Sequence, residues 1–433
     1  MKNCILTILT LVLCMFACKK KDRATPFPRS SITLSKFVLT KVDNPSLKED
    51  IEAEIVGTTI NLLLHGVNES QLRATVISDA VRSDYDGRPL DLTKEAKINL
   101  TDKNGIVVRY TVKAVFRDLY FTNQERQLSR NLAVYWKNGE KVRLTDSANL
   151  SLSEHSLAID VKGNDVYTAG TSTNNQLQRT VAVYWRNGVK TELTNGDGHA
   201  SAIGWAKAIK VVGNDVYVMG GVFYPGLSKY GVNVQLPVYW KNGVFTPLTD
   251  GKSMADVTGM LIHNNDCYIT GYIKGFVNDN ASAAYWKNGN VIKLTDGTRI
   301  AVAKAIAIIN NDVHVVGVDD AKIAHWKNGT KSELGKGMAF DIYGKGTDLF
   351  IGAHSEQNEG TVWKNGQLVH KVNARAFNLT VVDSDRYLIG TNVAAGSQQF
   401  FFYLNHSQKP FMIGEIDHVE AEDIPHAFLI KSR

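Results

Sequence analysis

From residue 118 onward, short runs alternate in the two-residue period of a β-strand, and the runs themselves recur. The clearest is Ala182-Val183-Tyr184-Trp185-Arg186-Asn187-Gly188. Near-copies stand at 135–139, 239–243, 285–289, 325–329 and 362–366. Asn-Gly directly after such a run is the turn that sends a strand back on itself, because both central residues need positive φ. Eight residues past most of the tryptophans comes a leucine (Leu144, Leu193, Leu248, Leu294, Leu334), which reads as the returning strand at fixed register. A second recurring piece precedes each hairpin, as in Ala158-Ile159-Asp160-Val161 followed by Asn164-Asp165-Val166-Tyr167. Weaker forms begin at Ala339-Phe340-Asp341-Ile342 and Ala376-Phe377-Asn378-Leu379. Each repeat is therefore four strands.

Six of the seven tryptophans lie in this motif, at steps of 49, 55, 46, 40 and 37 residues, the range of one propeller blade per repeat. Burying a Trp removes about 150–250 Å² from water, roughly 4–6 kcal/mol gross at ~25 cal/mol/Å², so these tryptophans read as packing anchors. Counting the degenerate copy at Tyr403-Leu404-Asn405, with its Trp-type position placed at 404, predicts seven blades. Asp118-Leu119-Tyr120 is a second strand lacking a first, and Ala427-Phe428-Leu429-Ile430 is a first strand with nothing after it. Together they predict a ring closed by both termini, which removes exposed sheet edges.

Residues 31–117 hold no copy of the repeat but alternate in strand fashion, with turn signals at Asn44-Pro45, Asp86-Gly87 and Asn104-Gly105. This predicts a small β-sandwich. The run Asp43-Asn44-Pro45-Ser46-Leu47 with Ile55-Val56-Gly57-Thr58-Thr59-Ile60 resembles the immunoglobulin-like domains that follow the tether in many Bacteroidota lipoproteins. The expected fold is thus all-β, a small β-sandwich followed by a seven-bladed β-propeller.

At the start, 1–17 pairs a short basic end with an apolar run too short to span a bilayer and suited to a signal peptide. Ala17-Cys18 followed by Lys19-Lys20-Lys21 resembles a bacterial lipoprotein lipobox, with Met15 and Phe16 departing from the usual residues; an ordinary secretory signal also fits. The resemblance implies an acylated Cys18 at the head of a tether (18–30), a membrane anchor and an outer-membrane address. Three lysines beside the lipid would meet headgroups. With Cys4 and Cys14 removed and Cys18 acylated, Cys267 alone remains, in the slot of Val166 and Val216, and reads as a small buried hydrophobe. The net charge of +6 comes without a further basic run, so no nucleic-acid partner is expected.

Within each repeat the first-to-second and third-to-fourth turns are short and alike. The other two connections share the opposite face and vary, and such loops are where function concentrates. The candidate ligand-binding residues there are Trp205, Phe223, Tyr224, Tyr230, Tyr272, Asp197 and His199. No His-x-x-x-His pair, nucleophile elbow or phosphate-cradling loop occurs, so no cofactor or metal is expected. Asp146, Asp250 and Asp296 read as turn residues. The leading expectation is a non-enzymatic binding module for an extracellular glycan or protein partner. The rival is a carbohydrate-active hydrolase or lyase using two of Asp197, Asp256, Asp319, Asp320, Glu356 and Glu359, which would have to stand roughly 5–9.5 Å apart.

Overall fold

The computed structural model describes residues 32–432 except 128, 147, 175–177, 197, 199–200, 229–230, 276–279, 384, 395–396, 405–410 and 413–426. At 227–228, 232, 391–394, 397–404 and 411–412 it describes backbone alone. The described chain is all-β, almost wholly antiparallel. The signal, Cys18 and the tether lie outside the described residues.

The Lys-Asn-Gly turn accounts for much of the repeat. Asn187 (φ 47°) and Gly188 (φ 83°) take the left-handed conformations of a tight hairpin turn. The Asn side chain then does two further things. Its Oδ1 accepts the N–H of Val166 at 2.9 Å, and its Nδ2 donates to Asp165 Oδ1 at 2.7 Å. Asn242, Asn288, Asn328, Asn365 and Asn138 repeat both bonds. The preceding cation binds the other carboxylate oxygen and lies over the ring beside it: Lys241 meets Asp215 at 2.9 Å and stands 5.1 Å from the Tyr217 centroid. Thus the two most repeated pieces of sequence clamp each other.

Pairing groups the strands after residue 117 in fours. The second to fourth groups begin at Leu152–Lys162, Ile203–Val212 and Met254–His263, each a separate sheet. The fifth begins at Ala301–Ile309 and the sixth at 337–345; they share strand Thr330–Lys345, whose halves pair with Lys322–Lys327 and Asp348–Ser355. The seventh begins at Arg375–Val382. In the first group the opening strand is supplied from the far end of the chain, where Ala427–Ser432 pairs antiparallel with 117–122. The opening strands touch in succession, and Ala427–Ser432 touches both Leu152–Lys162 and Arg375–Val382.

Between groups the tryptophans pack as expected. Trp185, Trp240, Trp286 and Trp326 are fully buried, each in a cluster with the preceding group. Trp240 and Trp286 also donate to the carbonyls of Thr194 and Leu248 in that group. Trp136 and Trp363 are half-buried. Two register details correct the sequence reading. Residue 403, not 404, pairs in the Trp position of the seventh group. Ile342 and Leu379 take the place of Ile159, because the opening strands of the sixth and seventh groups bulge two residues later than the motif alignment implies.

Those bulges sit at 157, 207, 258, 304, 340 and 377. They bring the opening strand close to the second strand, where a Cβ on Gly170 or Gly220 would run into the carbonyl oxygens of His155 and Trp205.

In the N-terminal region, Leu34–Leu39 with Ile51–Glu52 and Thr75–Ser78 forms one sheet. Thr59–His65, Ala96–Thr101 and the start of Val107–Gln127 belong to another, and a shared core of Phe37, Ile60, Leu62, Leu100 and Val112 lies between. Strand Val107–Gln127 is continuous across residue 117, so it belongs both to this region and to the first group.

Candidate functional site

The antiparallel order places the clamped turns at one end of each group and the remaining connections at the other. At that other end the third group is extended, its hairpin strands Asp215–Ser228 and Gly231–Lys241 running 14 and 11 residues against 8 and 6 in the fifth. The variable connection expected to carry Phe223 and Tyr224 is largely this hairpin, since Val222 and Tyr224 alternate with Phe223 in strand fashion and pair with Leu236, Val234 and Gln235.

Trp205 is half-buried on its opening strand, its indole lying against Gly221. Phe223 is half-buried beside it, paired with Ile203. Tyr272 is half-buried opposite Asp256, and burial first and that carboxylate second push its phenol up. Tyr224 must be corrected. It is fully buried in the core between the second and third groups and its hydroxyl donates to the Asn195 carbonyl, so no ligand can reach it. Strand alternation turns it inward where Phe223 turns outward. Tyr230, Asp197 and His199 lie outside the described residues. Asn195, Gly196 and Gly198, which flank Asp197, line a cleft of about 720 Å³ between the second and third groups, with Arg179, Trp240 and Phe245.

The five described carboxylates of the enzymatic alternative are each paired with a cation. Both oxygens of Asp256 lie 2.7 Å from Lys207 Nζ. Asp319 holds Lys331 at 2.7 Å, Asp320 holds Arg299 at 3.0 Å, Glu356 holds Lys336 at 3.5 Å and Glu359 holds Lys371 at 2.8 Å. The Lys371 bond keeps Glu359 below the usual carboxylate range. Among the described residues no three His, Cys, Asp or Glu groups are placed to hold a metal. Asp146, Asp250 and Asp296 accept from the backbone N–H two residues on, as turn residues do. Cys267 is buried and its thiol is pushed up to about 12 by desolvation, far from a reactive thiolate.

Sequence reasoning missed the charged groups on the opening strands. Asp341 keeps some contact with solvent, yet the surrounding strands desolvate its carboxylate and push its pKa up to about 6. Backbone N–H groups of Ile342 and Leu379 donate to it and pull the other way, and so does Lys210. Lys210 belongs to the third group and Asp341 to the sixth, so charges on two opening strands that are not neighbours in sequence act on each other. Lys304 and Arg375 sit on the fifth and seventh opening strands near His354. The signal for them was available only through the bulge register, which the motif alignment had displaced.

In the fifth group, His314 and His325 replace the tyrosine pairs of the second to fourth. Their ring nitrogens are 2.9 Å apart with planes 7° from parallel. They lie in a recess of about 420 Å³ at the clamped-turn end, and burial pushes His325 down to about 4.

The chain matches no protein-family model and no curated protein. Solved structures with similar all-β folds include a prolyl endopeptidase (12% identity, TM-score 0.43), covering 67% of this chain and 50% of the other. A second is a putative 6-phosphogluconolactonase from Bacteroides fragilis NCTC 9343 (11% identity, TM-score 0.38, 72% and 97% covered). A third is the polysaccharide lyase Uly1 (10% identity, TM-score 0.41, 66% and 87% covered). The chain thus spans half the length of the endopeptidase.

Proposed function

We propose that residues 118–433 form a seven-bladed β-propeller closed by both termini. An immunoglobulin-like sandwich at 31–117 carries it, and acylation of Cys18 tethers it to the outer membrane. Its role in this reading is non-enzymatic recognition of an extracellular glycan or protein partner. Support for the ring comes from the succession of touching opening strands, with Ala427–Ser432 bridging the second and seventh groups. Interaction of Lys210 with Asp341 fits opening strands arranged around a common axis.

The observation that carries the binding role is the inequality of the two ends. One end is six copies of a single Asp-Asn clamp, explained by backbone geometry alone. The other bears an extended hairpin and the half-buried aromatics Trp205, Phe223 and Tyr272, which have no such local explanation. Aromatic surfaces of this kind stack on sugars or anchor partner interfaces. Acid–base hydrolysis needs a carboxyl poised to give up a proton and a second one free to act. Asp256, Asp319, Asp320, Glu356 and Glu359 are each held by a cation instead.

The test is a screen of the full chain against glycan and envelope-protein arrays, with product release followed on every hit. The expected result is a ligand bound without cleavage, weakened by Trp205→Ala and untouched by Asn187→Ala. Turnover of a bound glycan would overturn the non-enzymatic reading. Loss of binding in Asn187→Ala but not in Trp205→Ala would put the site on the other end.

A further inference from the structure

On the fifth to seventh groups, positive side chains gather without acid partners. Lys304 occupies the bulge of strand Ala301–Ile309; Phe340 and Phe377 hold that position in the next two groups. Arg375 stands two residues before its bulge, the position of Trp205 in the third group and Asp256 in the fourth. His354 pairs with Met338, which is at that same level in the sixth. All of these lie on the half of the strands nearer the variable connections.

Lys304 is half-buried and Arg375 exposed. Among the described residues neither side chain makes an ion pair or hydrogen bond. Asp256, the acid that acts on Lys304, has both oxygens on Lys207. His354 stacks on Phe340 with centroids 6.2 Å apart, and its Nδ1 is buried without a partner. A cation drawn out of water without a counter-charge is costly, and so is a buried polar atom left unbonded. A bound anion carrying a hydroxyl would relieve both. Burial is the main reason the Lys304 ammonium is held below its ordinary range. Burial first, then Arg375 and more weakly Lys304, likewise disfavour protonated His354, while the Ala376 carbonyl attracts its N–H. In the neutral ring one nitrogen carries the proton and the other accepts, and the tautomer with its proton on Nε2 leaves Nδ1 open to a hydroxyl.

We propose that Lys304, Arg375 and His354 form a binding site for an acidic sugar, with its oxyanion on the ammonium and guanidinium and a neighbouring hydroxyl donating to His354 Nδ1. This rests on the binding-end reading above and adds the ligand's chemical class. The oxyanion is the carboxylate of a uronic acid or a sulfate ester; both offer several acceptor oxygens to paired cations.

Calorimetric titration of the full chain with sodium glucuronate, galactose 6-sulfate, inorganic sulfate and glucose tests it. At least one acidic sugar should bind, glucose should bind about tenfold more weakly or not at all, and high salt should weaken the acid. Lys304→Met keeps the stem and removes the charge. It and Arg375→Met should each weaken the acidic sugar by about tenfold. His354→Phe keeps the stack on Phe340; it should weaken the acidic sugar and leave inorganic sulfate unchanged. Carboxylate and sulfate ester are told apart by which of the two acids binds more tightly. Absence of acidic-sugar binding, or unchanged affinity in Lys304→Met, overturns the proposal. A neutral glycan that is lost in Trp205→Ala and indifferent to Lys304→Met would keep the binding end and overturn the acidic-sugar site.

Discussion

Asn187 shows how one side chain can explain a motif. Its backbone makes the turn, and its amide ties that turn to Asp165 and Val166 of the neighbouring strand. The turn was legible from Asn-Gly alone. The clamp was not, because nothing local says which strand the amide will meet. His314 and His325 carry a consequence that can be measured. The ordinary His pKa is 6.5; burial pushes both His65 and His325 down to about 4 in the folded chain. The unfolded chain therefore binds more protons between those values. Their stabilising share is complete above pH 6.5 and is lost as pH falls toward 4. Asp341, raised to about 6, acts in the opposite sense. His325→Tyr restores the residue found in the second to fourth groups and leaves Asp341 in place. Melting temperature followed from pH 7 to pH 4 should fall less steeply in this variant than in the wild type. Parallel curves would mean His325 is not held neutral by the fold.

Strand Val107–Gln127 is the element the sequence concealed best. A boundary at 117 reads naturally where the repeat begins, yet the backbone runs on, with Thr59–His65 parallel to it on one stretch and Ala427–Ser432 antiparallel on the next. Where the two stretches meet, the Arg117 guanidinium is almost wholly buried. It lies 2.9 Å from Asp383 and 3.3 Å from Asp385, and donates to Ser432 Oγ at 2.6 Å. His65 reaches Tyr387 at 3.1 Å beside it. One side chain thus holds the N-terminal region, the seventh group and the C-terminal strand. Asp383 is largely exposed and Asp385 partly so, so removing the buried guanidinium costs chiefly its charged hydrogen bonds, about 1.5–3 kcal/mol. Arg117→Met should lower stability by that order in denaturant unfolding, whereas Arg143→Met, on the exposed Glu125 pair, should cost less than about 1 kcal/mol. Equal small losses would remove Arg117 from the lock.

At the scale of the whole molecule, the recurring four-strand groups and the pairing of 117–122 with Ala427–Ser432 could be read directly, because Asp118-Leu119-Tyr120 lacked what Ala427 to Ile430 supplied. The binding end was only partly legible. Trp205 and Tyr272 could be found as aromatics outside the clamp, but Tyr224 was misplaced because a strand extension was taken for a loop. Lys304, His354 and Arg375 escaped notice because they come from three different repeats, and only the pairing register places them near the same level of their strands. Everything said about a binding end depends on the groups forming one ring, and the C-terminal strand is where that claim is most exposed. Phe428 and Ile430 lie in the same cluster as Leu119, Tyr387 and Ile389, and amides of 117–122 pair only with that strand on one side. The decisive measurement is the melting temperature and monodispersity of the chain ending at residue 426. Ring closure by this strand predicts a marked drop in melting temperature with aggregation through the uncovered edge; a truncated chain that melts with the wild type and does not aggregate would contradict it.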